Sequence, residues 1–176
     1  MVNSVTNRKN KIMFLEFLLG GICGCWAMYL VYQIVISLSK KRHPTELLNL
    51  SSTHLFRNEG LVAGAAIVFV IGAVIMLVAA FRSINHTEPF GVTTSMVTSI
   101  VMTVYSLIFF IVYGVTVFAV YEYYDSLSKL VRDSSMSFVP AVFPMFVGMT
   151  LLLILLLGFL YNAILCGIYK ATRKKK

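Results

Sequence analysis

The chain has 176 residues, 59% of them hydrophobic, with mean hydropathy +0.85 and a formal net charge of +8. Soluble domains are only about half apolar even with glycine counted, so a soluble globular reading is excluded. The cations, which in a soluble chain would suggest nucleic acid, gather beside apolar stretches, so membrane lipid is the simpler partner and no nucleic acid is expected.

Four apolar stretches, 12–38, 61–81, 94–121 and 138–169, contain one charged residue among them, Glu16. Each has the roughly 20 residues that a helix rising about 1.5 Å per residue needs to cross a hydrocarbon core near 30 Å thick. The pieces between them are too short to bury a core of their own. The expected fold is all-α: one integral membrane four-helix bundle covering residues 1–176. The first stretch is too long for the apolar core of a cleaved signal peptide and is expected to stay as an anchor.

Orientation follows from the basic residues. Arg8, Lys9 and Lys11 precede the first span and Lys170, Arg173, Lys174, Lys175 and Lys176 follow the last; with Arg82 these make nine on one side. Lys40, Lys41, Arg42, Arg57, Lys129 and Arg132 make six on the other. The positive-inside rule therefore places both termini in the cytosol, in the endomembrane system or the plasma membrane.

In the first span, Gly20 and Gly24 form a small-xxx-small pair flanked by Gly21 and Cys25, a face that lets helices approach closely, within the bundle or in a homodimer. Glu16, about a turn inside, is expected to snorkel to the interface near Lys11 or Lys170. The first outer loop carries the sequon Asn49-Leu50-Ser51, a glycosylation candidate; Asn85-His86-Thr87 falls in the cytosolic loop, where no sugar is added.

The second span has no polar side chain, and Gly64 and Gly72, eight residues apart, share one side of it as a second close-packing face. In the third, Ser95, Ser99, Ser106 and Tyr113 fall within about 40° of one another at helical spacing and form a narrow polar stripe. Interhelical hydrogen bonds account for such a stripe, and a hydrated pathway is the competing reading. The tyrosines from Tyr121 to Tyr124 read as an interfacial belt. The fourth span opens with Pro140 and Pro144, the second of which is expected to bend it. It ends on Asn162, expected to bond to another helix, and Cys166, which is either an S-palmitoylation candidate or a buried small side chain.

The cysteines, Cys23, Cys25 and Cys166, all lie within spans, so no disulfide is expected in an outer loop. The histidines, His43, His54 and His86, lie in loops without the tight spacing of a zinc site. With no CxxC, HExxH, GxSxG or phosphate-binding glycine loop, the chain is read as no enzyme, with no catalytic, cofactor or metal residues.

Four segments in order, GGICGCW opening the first span, NLSS in the first outer loop, YEYYDSLSKL leaving the third span and LYNAILCGIYK closing the fourth, resemble the plan of the lysosome-associated four-transmembrane proteins. Insect septate-junction four-span proteins and MARVEL-type bundles are similar in plan. The chain lacks the cysteine-bearing outer loop and the cytosolic Pro-Tyr tail of the lysosomal family. The resemblance implies a tetraspan organiser or accessory subunit in membrane organisation, trafficking or junction assembly, with membrane lipids and other membrane proteins, or further copies of itself, as partners. The alternative is a protomer of an oligomeric channel or transporter that uses the stripe of the third span.

Overall fold

A computed structural model describes residues 2–41, 59–84, 86, 91–126 and 138–173. They form four helices: α1 (Val2–Lys41), α2 (Glu59–Ile84), α3 (Val92–Ser126) and α4 (Phe138–Arg173). All four are long and apolar enough to cross a membrane, over Asn7–Tyr32, Val62–Ile84, Val92–Val115 and Phe146–Thr172. At 40 residues, α1 spans about 60 Å and runs well past the thickness of a bilayer. The helices alternate in direction, so the start of α1 and the end of α4 share one end of the bundle, where Arg8 donates to Thr172 Oγ1 at 3.1 Å. Asn49 and the segment 127–137 lie outside the described residues, as does Asn85.

Packing is most extensive between α1 and α2 and between α3 and α4; contact of α1 with α4 joins the two pairs, α2 touches α3 only lightly, and the diagonal pairs meet least. The residues that face inward follow one rule. On α1 they are Ile12, Glu16, Leu19, Cys23, Trp26 and Leu30; on α3, Ser95, Ser99, Met102, Ser106, Phe109 and Tyr113; on α4, Gly148, Leu152, Leu155, Phe159, Asn162, Cys166 and Tyr169. Each series steps by alternating fours and threes, the 3.5-residue spacing of helices that wrap around one another with knobs in holes. The opposite faces carry large apolar side chains into the surroundings, among them Phe14 (69% exposed) and Met28 (71%), as suits a helix meeting lipid.

The half of the bundle away from the termini is centred on Trp26. Its ring stacks on Tyr29 (centroids 5.2 Å apart) and meets the edges or faces of Phe69, Phe109 and Tyr113 at 6.4, 6.4 and 5.8 Å. These arrangements are the ones that the quadrupoles of aromatic rings favour. The fourth wall is Gly148 of α4, where a Cβ would lie 2.8 Å from Tyr113 Oη and 3.1 Å from Trp26 Cζ3. Glycine is required there because two rings occupy the room of its side chain. At the head of α3, Gly91 has φ +66°, a left-handed conformation that glycine adopts at little cost, and its carbonyl accepts from the amide of Ser95.

Gly148→Ala is expected to lower the stability of the bundle by about 1–3 kcal/mol through overpacking against the two rings. Gly21→Ala, at a position where a Cβ meets nothing within 4 Å, is expected to be neutral or slightly stabilising. Parallel denaturant titrations of the two variants in detergent micelles measure the difference.

Candidate functional site: a buried polar cluster between three helices

The inward seams of α1, α3 and α4 are mostly apolar, and apart from Ser106 and the Tyr113 hydroxyl of α3 their polar side chains gather near the end that holds the termini. There Glu16 of α1, Ser95 and Ser99 of α3, and Asn162 and Cys166 of α4 come together, each 0% exposed. The paired residues on α3 and α4 are four apart, so they stack one above the other on a single helical face. Asn162 Nδ2 donates to Ser99 Oγ at 2.9 Å and to Ser95 Oγ at 3.2 Å, and the Cys166 thiol points at Ser95 Oγ from 3.9 Å. One amide thus ties both serines to α4. The Glu16 carboxylate lies beside the Ser95 hydroxyl and the Cys166 thiol. Neither of its oxygens closes a hydrogen bond, and Asn162 Oδ1 has no partner either.

The cluster is sealed on both sides. Towards the termini, Ile12, Cys166 and Tyr169 pack with Val92, Met96 and Leu165; towards the middle of the bundle, Leu19, Leu155 and Phe159 begin the main apolar core. Glu16 is five residues inside Lys11, about 7–8 Å of helix rise, and Asn162 is eight residues inside Lys170, about 12 Å. Two cations of this end are engaged elsewhere, Arg8 with Thr172 and Lys9 with the backbone carbonyl of His86.

One expectation is corrected by this arrangement. Glu16 does not snorkel: it occupies an inward position of the seam, between Ile12 and Leu19, and its short side chain has no route around the helix to the interface. Cys166 is 0% exposed and packs with Ile12 and Tyr169, as in the reading of a buried small side chain.

The stripe residues Ser95, Ser99, Ser106 and Tyr113 are all buried. Asn162 joins the first two, Ser106 Oγ has no partner, and the Tyr113 hydroxyl is 3.4 Å from that of Tyr29. The glycines divide. A Cβ on Gly20 would strike Leu77 and the carbonyl of Ala73, and one on Gly72 would strike Met102, whereas Gly24 and Gly64 meet nothing within 4 Å. Gly20 and Gly72 therefore pack inside the bundle and Gly24 and Gly64 look outward. Among the described residues no three His, Cys, Asp or Glu side chains gather as a metal site; His43 and His54 lie outside them.

The convergence of Glu16, Asn162 and the two serines at one end of the bundle is invisible to any motif. It was legible only as an alternation of threes and fours that puts Glu16 in register with Leu19 and Cys23, and Asn162 in register with Phe159 and Cys166. Comparison with family models, with curated proteins and with solved structures gives no match, so the site rests on its own geometry.

A double-mutant cycle on Asn162→Ala and Ser99→Ala is expected to return a coupling of about 0.6 kcal/mol, and no more than about 1.7, which is the range for hydrogen bonds between helices in a membrane. Unfolding of the four proteins in mixed micelles gives the value.

Proposed function

We propose that this is a non-catalytic tetraspan membrane subunit, an organiser or accessory protein that acts through helix–helix and lipid contacts. The observation that carries the reading is the division of the glycines. Gly20, Gly72, Gly148 and Gly158 each make room for a neighbouring side chain within the bundle, whereas Gly21, Gly24 and Gly64 face open space. A glycine in a helix costs about 1 kcal/mol relative to alanine. Inside the bundle close packing offsets that cost; outside it, the approach of another membrane helix or of lipid is what offsets it. Cys25, exposed beside Gly24, marks the same stretch of α1.

Both termini are assigned to the cytosol on the balance of Lys and Arg. The resemblance in the order of parts to lysosome-associated, septate-junction and MARVEL-type four-span proteins agrees with a role in trafficking or junction assembly. The second reading, a protomer of an oligomeric channel or transporter, needs the serine stripe at a water-filled lumen. Burial of that stripe against α4 of the same chain favours the first reading.

Wild-type protein extracted in mild detergent is expected to co-purify with a reproducible partner or with itself, and to form a Cys25-linked dimer on mild oxidation if the partner is a second copy. Gly24→Leu combined with Gly64→Leu is expected to keep the helical content and lose the association. Recovery of monomer alone from wild type, with no reproducible companion, overturns the reading. A glycosylation acceptor appended to the carboxyl terminus is expected to stay unmodified in cells, which checks the orientation.

A further inference from the structure

We propose that Glu16, Ser95, Ser99 and Asn162 form a binding site for a monovalent alkali cation of the sodium class, held between α1, α3 and α4. The inventory of hydrogen-bonding groups leads there. Three acceptor oxygens, Glu16 Oε1, Glu16 Oε2 and Asn162 Oδ1, are buried at this end of the bundle without a closed hydrogen bond. The two serine hydroxyl oxygens stand beside them, held in place by Asn162 Nδ2. Buried polar groups without partners are rare in proteins and mark the place of an ion, a water or a functional group. Here the missing partner has to meet several oxygens at once, one carboxylate among them.

Other occupants fit less well. No cationic side chain closes on Glu16, and Arg8 and Lys9 bond at the end of the bundle instead. A divalent ion would leave an uncompensated positive charge in a sealed site that contains one carboxylate, a costly arrangement. A soft transition metal calls for imidazole or thiolate, and the donors here are hard oxygens. The closest competitor is a single proton on Glu16, which supplies one O–H and leaves the other oxygens to the two serine hydroxyls. An alkali ion meets the same oxygens with the carboxylate still charged, and the infrared measurement below separates the two.

The position of the site gives such an ion a structural consequence. Helices α1 and α3 lie diagonally across the bundle and are not close neighbours. An ion on Glu16 of α1 and the serines of α3, with the amide of α4, would tie the diagonal at the end where the termini lie. Occupancy would then couple the ionic composition of the adjacent aqueous phase to the stiffness of that end. This goes beyond the accessory reading and is independent of whether any partner protein associates.

The test uses the full-length protein in detergent micelles at constant pH and ionic strength, with sodium chloride in one arm and choline chloride in the other. Sodium is expected to raise the thermal unfolding midpoint of wild type where choline does not, and radiolabelled sodium is expected to bind saturably at one ion per chain. Glu16→Gln, nearly the same shape without the charge, should abolish both effects, and Ser99→Ala should weaken binding by about tenfold. If Glu16→Gln fails to fold, wild type and Ser99→Ala decide between them. Equal midpoints in the two salts with no saturable uptake overturn the proposal, as does sodium binding that both variants retain. A carboxylic-acid band in the infrared spectrum that follows pH and ignores sodium overturns it in favour of a proton.

Discussion

In hydrocarbon an apolar side chain gains little by leaving lipid for protein, so the force that builds a soluble core does not choose which faces of these helices meet. What remains is close packing where side chains are small or flat, and hydrogen bonding where they are polar. In this bundle the inward seams are where those residues lie. Trp26 has its walls in Phe69, Phe109, Tyr113 and Gly148, and Asn162 bridges to Ser95 and Ser99. The outward faces are covered with leucine, isoleucine, valine and phenylalanine, which are interchangeable as far as lipid is concerned.

The two halves of the bundle solve the packing problem differently. Away from the termini, the aromatic cluster fills space with rings at offset and edge-on geometries; it requires a glycine opposite the tryptophan and leaves the Trp26 indole N–H without a partner. Near the termini the space is filled by small polar side chains whose hydrogen bonds run across helices, and the demand is a partner for every acceptor. That demand is unmet at Glu16 and at Asn162 Oδ1. The carboxylate is costly where it stands, since a charge taken out of water is repaid only by close partners. An ionisable residue held inside a membrane bundle points to function by default, and the rest of the seam shows how little else on the inside of this molecule is reactive.

The same division runs through the glycines. Where a glycine faces a neighbouring helix, as Gly148 does against Trp26, its absent side chain is the room that lets the neighbour in. Where it faces outward, as Gly24 and Gly64 do, the room is left for something other than this chain.

How much of this was legible beforehand follows from what each feature depends on. Four helices long enough to span a membrane follow from the length and apolarity of continuous stretches, a local property that needs no knowledge of neighbours; so does the common face of Ser95, Ser99, Ser106 and Tyr113, a matter of helical period alone. Which side of a helix turns inward is a relation between helices, and here the apolar residues surround each one and give no preferred side. Glu16 therefore read as a residue free to reach the interface, and Cys166 as either open to modification or buried, until packing turned both inward. The chain alone determined four helices long and apolar enough to cross a membrane; only the tertiary structure brought one acid, one amide and two hydroxyls from three helices to one end of the bundle, because residues separated by more than sixty positions meet only when the bundle closes.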